Sequence, residues 1–134
     1  MSAAKSRASV STRGPVLIIG TGLLGTSLAL ALRTADVEVQ LSDTSPTSLA
    51  LARDMGAGTP HDKHSPEPQI VVVATPPDVT ADVVVAQLNV HPSAVVTDVA
   101  SVKERVVTEV RARAGAQARR YVGSHPMAGR ERSG

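Results

Sequence analysis

The stretch VLIIGTGLLGTSLALAL, residues 16–32, decides the fold of this chain. It opens with four aliphatic residues in a row, which is typical of a strand covered on both faces of a sheet. Gly20, Gly22 and Gly25 follow at the spacing G-x-G-x-x-G, and good helix formers continue to Leu32. A strand, a glycine turn and a helix in this order predict the first unit of a dinucleotide-binding α/β domain.

The rest of the chain continues this alternation of strands and helices. Residues 58–69, GTPHDKHSPEPQ, are predicted to be a polar, proline-containing connection. The alternation predicts a single α/β domain over 15–134, a Rossmann-like doubly wound parallel sheet, after a disordered basic tail over 1–14. Strands are predicted over 16–20, 37–43, 70–75, 94–100 and 120–124, and helices over 23–34, 45–57, 76–89 and 101–115.

The composition argues against several classes of function. The 134 residues include no Cys, Trp or Phe and one Tyr, which excludes disulfides and cysteine catalysis and agrees with a cytoplasmic protein. The net charge of +2 belongs mainly to the tail, and a nucleic-acid-binding face would interleave basic with aromatic residues. The uncharged run between Arg13 and Arg33 resembles a membrane span or signal peptide, but three glycines break it. We therefore predict neither a nucleic acid nor a membrane as partner.

The glycine turn predicts a phosphate-binding loop. The first glycine permits the tight turn, the second lets the backbone approach a pyrophosphate, and the third lets helix and strand pack closely. Backbone N–H groups at the helix start, where Leu23 and Leu24 lie, would hold the phosphates together with the helix dipole. The alternative is a glycine-rich turn without a ligand.

Asp43 indicates which nucleotide this loop binds. It closes the second predicted strand, eighteen residues beyond Gly25, where a carboxylate can bind both hydroxyls of the adenosine ribose. A carboxylate there repels a 2′-phosphate, and no arginine follows it within TSPTS. The sequence therefore predicts NAD rather than NADP as the cofactor. The alternative is that Asp43 is a turn acid or a helix cap.

The ATPP segment, residues 74–77, ends the third long strand and opens the next helix. Ligands of open α/β sheets bind at the carboxyl ends of the strands, so Thr75 and Pro76 are predicted to form a wall beside the cofactor. The alternative, equally consistent with the sequence, is that the prolines only start a helix.

Four motifs follow one another along the chain: IIGTGLLGTSLALAL (18–32), VVVATPP (71–77), VVTDVASVKERV (95–106) and YVGSHPMAGRERSG (121–134). In this order they resemble the N-terminal nucleotide-binding domain of prephenate (or arogenate) dehydrogenases, enzymes of tyrosine biosynthesis. The glycine motif is shared by many dehydrogenases, whereas TDVASVK together with GSHPMAG is far more specific. The resemblance runs from about Val16 to the end of the chain.

The resemblance implies an NAD-dependent oxidative decarboxylation of prephenate to 4-hydroxyphenylpyruvate. Hydride leaves the ring carbon that bears the hydroxyl, the ring carboxylate leaves as CO2, and the product is aromatic. By the same resemblance, His125 of GSHPMAG helps to remove the hydroxyl proton. Ser101 of TDVASVK hydrogen-bonds near that hydroxyl and the nicotinamide. Both residues are thus expected to act in catalysis and in substrate binding.

Members of this family also carry a helical C-terminal domain that forms a homodimer and adds substrate-binding residues. No such segment is present in these 134 residues. We therefore expect this sequence to be the front part of a longer, dimeric protein. By itself it is expected to bind NAD weakly and to turn over little or no prephenate.

The positions of Ser101 and His125 agree with these roles on general grounds. Each follows a predicted strand at its carboxyl end, the same edge of the sheet as the glycine turn. A general base must reach the proton that it removes and needs a pKa near the working pH, which a neutral imidazole provides. The alternative is that His125 is a polar residue that merely ends a strand.

Three basic residues near these motifs have two interpretations each. Lys103 lies one turn into the helix predicted over 101–115, whose start faces the same edge. It could attract a substrate carboxylate, or it is a solvated lysine of the KER sequence. Arg130 and Arg132 could bind a dicarboxylate, or they belong to a charged surface loop.

Four further residues are not predicted to be metal ligands or bases. His61, Asp62 and His64 superficially resemble a metal site, but three prolines crowd this loop and no partner cluster is apparent, so no metal is predicted. His91 precedes a proline in a predicted turn and carries no chemical signal.

Two further functions stay open on the sequence. One is another NAD(P)-dependent Rossmann oxidoreductase that acts on an imine or a hydroxy acid. The other is a non-catalytic NAD-sensing module, which needs the glycines and Asp43 but neither Ser101 nor His125. The sequence does not distinguish prephenate from arogenate as the small-molecule substrate.

Overall fold

Strands and helices alternate along the chain in the computed structural model, which describes residues 14–123. The strands are β1 (Val16–Ile19), β2 (Val39–Ser42), β3 (Thr59–Pro60), β4 (Ile70–Val73), β5 (Val95–Asp98) and β6 (Tyr121–Gly123). The helices are α1 (Leu23–Thr34), α2 (Pro46–Asp54), α3 (Pro77–Val90) and α4 (Lys103–Ala114), and a 3-10 helix covers Gly115–Arg120.

The strands form one parallel sheet in the order β3-β2-β1-β4-β5-β6. β1 lies at the centre, where Val16 is paired with Val39 of β2 and with Ile70 of β4. The chain therefore builds outward on one side of β1 and then crosses to the other side. Open α/β sheets bind ligands at the carboxyl edge beside such a switch point, here between β1 and β4. The predicted fold class is confirmed.

Alternate strand residues pack on opposite faces of the sheet. Ile18 of β1 joins a cluster that contains Ala29 of α1, whereas Leu17 joins a second cluster with Leu88 of α3 and Val110 of α4. Both clusters are built from aliphatic side chains, and each fully buried Val, Leu or Ile contributes about 1.5–3 kcal/mol. Two thin aliphatic layers thus replace the aromatic residues that the composition lacks.

Two glycines let α1 pack directly on the turn that follows β1. Gly20 has φ +103°, a conformation that favours glycine. A Cβ on Gly25 would lie less than 3.0 Å from the Gly20 carbonyl oxygen, so only glycine fits there. By contrast, a Cβ on Gly22 would meet nothing within 4 Å. The first and third glycines therefore shape the fold, and the second leaves space above the turn.

The prediction of a connection without a strand over 58–69 is wrong at its start. β3 lies within it and pairs with Gln40 and Leu41 of β2. A two-residue edge strand that contains a proline has no periodicity by which a sequence could reveal it. The 3-10 helix before β6 was likewise not predicted. The Arg120 guanidinium fixes this segment by donating to the carbonyl oxygens of Leu88, His91 and Ala94.

The other predicted elements are present with ends shifted by a few residues. The helix predicted from residue 101 begins at Lys103, and the strand predicted from residue 37 begins at Val39. The basic tail predicted over 1–14 falls, except for Gly14, outside the described residues. None of the helices described between residues 14 and 123 is long and apolar enough to cross a lipid bilayer.

Replacing Gly25 tests the contact between α1 and the turn. G25A should lower the free energy of unfolding by at least about 3 kcal/mol, because the new Cβ overlaps backbone that cannot move aside. G22A is the matched control and should cost less than about 1 kcal/mol, since its Cβ points into open space. Urea unfolding followed by circular dichroism measures both. Equal stability of the two variants would contradict the role of Gly25.

Candidate functional site

A cleft of about 1060 Å3 lies at the carboxyl edge of the sheet, above the switch point. The structure brings every residue predicted to bind the cofactor, and Ser101, to its walls. Residues from the turns after β1, β2, β4 and β5 therefore face one space. The predicted residues that line it are Gly20, Gly22, Leu23, Leu24, Gly25, Asp43, Thr75, Pro76 and Ser101.

The start of α1 forms the floor of this cleft. No side chain caps the helix, and its first turn contains no acidic residue. The first N–H groups of a helix and the positive end of its dipole attract anions. Gly22, the N-cap residue, has no Cβ to keep a ligand at a distance. The arrangement suits a diphosphate held by backbone atoms.

Asp43 lies at the end of β2 and is held by three donors. Its Oδ2 accepts hydrogen bonds from the backbone N–H of Thr21 at 2.6 Å and from the Thr21 hydroxyl at 2.8 Å. Its Oδ1 accepts from the backbone N–H of Ser45 at 2.8 Å. Burial acts to raise the pKa of this carboxyl, but the hydrogen bonds from Thr21 and Ser45 outweigh it, and the pKa lies below its ordinary value.

These contacts show what Asp43 does in the turn after β2, whereas its role in ribose binding stays a prediction. It does not cap α2, because Ser45 does so by accepting from the Ser48 backbone N–H. It does stabilise its own turn, through Ser45, and it also faces the cleft. A carboxylate offers about four acceptor positions, so about one stays free. Binding both ribose hydroxyls would require one of the present donors to give way.

Thr21 lies beside the cleft and donates two hydrogen bonds to Asp43, a contact that was not predicted from the sequence. It is the variable residue between the first two glycines, and its side chain is buried against Asp43. A hydroxyl residue at this position, followed by an acid at the end of the second strand, was the available signal. Thr21 connects the glycine turn to the end of β2, and its hydrogen bonds lower the pKa of the Asp43 carboxyl.

Thr75 and Pro76 form the wall of the cleft opposite Asp43 and also begin α3. Pro76 is the N-cap residue of that helix. The buried Thr80 hydroxyl lies 3.2 Å from the Thr75 hydroxyl and 3.0 Å from the Pro76 carbonyl oxygen, which it can donate to. These residues therefore both start the helix and line the cleft, and their place beside a cofactor stays a prediction.

Ser101 is exposed at the rim of the cleft, in the short loop between β5 and α4. Lys103 follows it, but the interpretation of Lys103 as a solvated lysine is wrong. Its side chain is 15% exposed, and its Nζ lies 2.6 Å from Oδ2 of the fully buried Asp98. Asp98 was not predicted as a site residue, although an acid at the end of a buried strand indicates a group at the carboxyl edge of the sheet.

His125 lies outside the described residues, as do Arg130 and Arg132. The described chain ends with β6, which runs parallel to β5 and pairs Gly123 with Asp98. Gly123 is therefore at the same edge of the sheet as Ser101. The role predicted for His125 stays a prediction.

His61, in the connection between β3 and β4, and His91, after α3, both make contacts within the fold. His61 Nδ1 lies 2.7 Å from Gln40 Oε1, and burial, followed by the nearby His91, lowers the pKa of His61. His91 is buried, with its Nδ1 2.8 Å from Glu67 Oε1, a contact that its sequence context did not signal. Among residues 14–123, no group of three His, Cys, Asp or Glu side chains could hold a metal ion.

Comparison with known proteins connects this geometry to one family. The family model described as prephenate dehydrogenase, nucleotide-binding domain, matches residues 28–134. A protein of Streptomyces niveus, named as a probable prephenate dehydrogenase, is 41% identical over 119 residues, covering 88% of this chain and 32% of that protein. The prephenate dehydrogenase of Lactococcus lactis is 28% identical over 125 residues, covering 89% of this chain and 35% of that protein.

A solved structure agrees with these sequence relatives. A candidate prephenate dehydrogenase from Corynebacterium glutamicum superimposes with a TM-score of 0.73 and 33% sequence identity, covering 90% of this chain and 38% of that chain. This chain spans about a third of the length of the curated relatives that it matches.

Replacing Thr21 by valine tests how Asp43 is held. T21V removes the hydroxyl donor, so the pKa of Asp43 should rise toward its ordinary value of 3.8. A carboxyl with a lowered pKa stabilises the fold above its unfolded-state pKa, and this contribution is lost as the pH falls through the folded-state pKa. T21V should therefore lose stability at neutral pH, and its difference from the wild type should shrink below about pH 4.

NMR titration of the Asp43 carboxyl and urea unfolding at several pH values measure these effects. T34V is the matched control, because the Thr34 hydroxyl bonds only to Leu30 of its own helix. Its difference from the wild type should not depend on pH. An unchanged Asp43 pKa in T21V would show that the hydroxyl does not support the carboxylate.

Proposed function

The chain belongs to the prephenate dehydrogenase family, and because it contains that family's nucleotide-binding domain, we propose that it binds NAD for the oxidation of prephenate or arogenate. The observation that carries the proposal is the single cleft that gathers the glycine turn, Asp43, Thr75 and Ser101 at one edge of the sheet. The family is one of oxidoreductases that use a nicotinamide nucleotide. The proposal concerns NAD as the nucleotide, prephenate or arogenate as the substrate, and the role of each residue.

The residues of the cleft fit a dinucleotide. The uncapped start of α1 and the open space above Gly22 suit the pyrophosphate. Asp43 carries a negative charge with about one acceptor position free, which suits one hydroxyl of the adenosine ribose. The same charge opposes a 2′-phosphate, and residues 44–48 contain no arginine to offset it. These features favour NAD over NADP.

The proposed chemistry assigns one task to each group at the rim. A bound nicotinamide ring supplies the hydride acceptor. Ser101 hydrogen-bonds to the ring hydroxyl of the substrate and so orients the carbon that is oxidised. His125 accepts the proton of that hydroxyl as the carbonyl forms. Loss of the ring carboxylate as CO2 then leaves an aromatic product, which makes the reaction strongly favourable.

The relatives are about three times as long as this chain. We therefore propose that residues beyond this domain complete the substrate site and that the whole enzyme is a homodimer. By itself, the domain is expected to bind NAD weakly and to convert little substrate. A choice between prephenate and arogenate would depend on those further residues.

Titration of this chain with NAD and with NADP tests the assignment of Asp43. NAD should bind more tightly, and D43N should reduce the ratio of the two affinities about tenfold or more, because the charge that opposes the 2′-phosphate is lost. Isothermal titration calorimetry measures both affinities. D82N is the matched control, since Asp82 lies in an exposed ion pair with Arg113 between α3 and α4. Equal affinities in the wild type would refute the preference for NAD.

Replacing His125 separates an enzyme from an NAD-sensing module. In the full-length protein, H125N should lower kcat about 10²- to 10⁴-fold, as expected for loss of a general base, and should leave NAD affinity unchanged. NADH formation with prephenate and with arogenate measures the activity. H64N is the matched control, because His64 is exposed in the connection before β4. If NAD affinity and activity fell together in H125N, the histidine would be structural.

A further inference from the structure

Asp98 is a fully buried carboxylate at the carboxyl end of β5, and three donors from three segments converge on it. Its Oδ2 accepts from the backbone N–H of Ala100 at 2.9 Å and from Lys103 Nζ at 2.6 Å. Its Oδ1 accepts from the Tyr121 hydroxyl at 2.5 Å. The carboxylate therefore connects the end of β5, the start of α4 and the start of β6.

The three donors lie beside Ser101 and at the start of the strand that precedes His125 in the sequence. Ala100 and Lys103 lie on either side of Ser101, so both ends of the loop that carries Ser101 are bound to one carboxylate. Tyr121 begins β6, the strand that leads toward His125. A Cβ on Gly123 would lie 3.2 Å from Lys103 Cδ and 3.4 Å from the Tyr121 hydroxyl, so the end of β6 also packs on this group.

The buried charge of Asp98 opposes movement of the segments that donate to it. A buried carboxylate is costly unless a counter-charge and hydrogen bonds compensate it. Lys103 supplies the counter-charge from a largely buried side chain, and Ala100 and Tyr121 supply the remaining donors. Moving either the Ser101 loop or the start of β6 would leave part of this charge uncompensated. The positions of both segments are thereby coupled.

We propose that Asp98 is a positioning residue that fixes Ser101 and the strand leading to His125 relative to each other. This inference rests on the function proposed above. Lys103 was predicted as a possible contact for a substrate carboxylate, but its ammonium group is the counter-ion of Asp98. Neither Asp98 nor Lys103 needs to contact the substrate for this role. A small displacement of a reacting group by about 1 Å can cost about a hundredfold in rate, which sets the expected scale.

The tyrosine gives a direct readout of this network in the 134-residue chain, because Tyr121 is its only tyrosine and it contains no tryptophan. Burial raises the pKa of the Tyr121 phenol, and the hydrogen bond to Asp98 and the negative charge of Asp98 raise it further, against a smaller effect of Arg111. D98N should therefore lower the pH at which the tyrosinate absorbance appears. D82N, an exposed carboxylate on α3, is the control and should leave it unchanged.

The functional test uses the full-length protein and two variants. D98N keeps the shape of the side chain and removes its charge, and Y121F removes only the hydroxyl that connects β6. We expect kcat to fall about a hundredfold in D98N and about tenfold in Y121F, with NAD affinity and substrate KM within about twofold of the wild type. Y121F keeps the test valid if D98N does not fold. D82N should match the wild type in every constant.

Each outcome has one meaning. Lower kcat with unchanged NAD affinity and KM in folded D98N or Y121F supports the proposal. An active wild type with kcat unchanged in both variants overturns the role of Asp98 alone. A KM that rises while kcat is unchanged also overturns it, because the group would then act in substrate binding. A wild type that oxidises neither prephenate nor arogenate overturns the proposed function and, with it, this inference.

Discussion

The contact between the start of α1 and the turn after β1 is the constraint on which the rest of the structure depends. A side chain at Gly25 would overlap the Gly20 carbonyl, so the helix can approach the strand this closely only because glycine occupies that position. The approach directs the N–H groups at the start of the helix over the carboxyl edge of the sheet. It also places Thr21 where its backbone and hydroxyl reach Asp43 on the next strand. The fold and the floor of the cleft therefore have the same origin.

Two aspartates at strand ends, Asp43 and Asp98, have similar hydrogen bonding but differ in burial. Asp43 and Asp98 each accept three hydrogen bonds, and each closes a strand or follows its last residue. Asp43 is partly exposed at the cleft and receives only neutral donors, so its charge faces the cleft. Asp98 is fully buried and has Lys103 as counter-ion, so its charge is compensated within the protein. The first suits recognition and the second suits rigidity.

The aliphatic core explains how a chain with one aromatic residue supports this site. Parallel strands covered on both faces need compact, branched side chains that fill two thin layers, and Val, Ile, Leu and Ala provide them. The carboxylates of Asp43 and Asp98, whose charges would be costly in such layers, lie at the strand ends. There the turns supply backbone donors, and a ligand or a counter-ion can complete the compensation. The charged groups of the cleft therefore lie at the carboxyl edge of the sheet, and the aliphatic core fixes the positions of the strand ends.

The sequence by itself determined the alternation of strands and helices, the glycine turn and the residues that line the cleft. These features depend on neighbouring residues, through continuous apolar runs, glycine spacing and helix caps, so they can be read along the chain. Only the tertiary structure decided that Thr21 holds Asp43, that Lys103 is paired with Asp98, and that Thr59–Pro60 forms an edge strand. Thr21 and Asp43 are 22 residues apart, and Thr59–Pro60 is too short to form a pattern. Lys103 is only five residues after Asp98, but the burial of Asp98 depends on how the whole sheet packs. Lys103 illustrates the reason: KER has the composition of a solvated helix surface, and only the fold places a buried carboxylate within reach of its ammonium group.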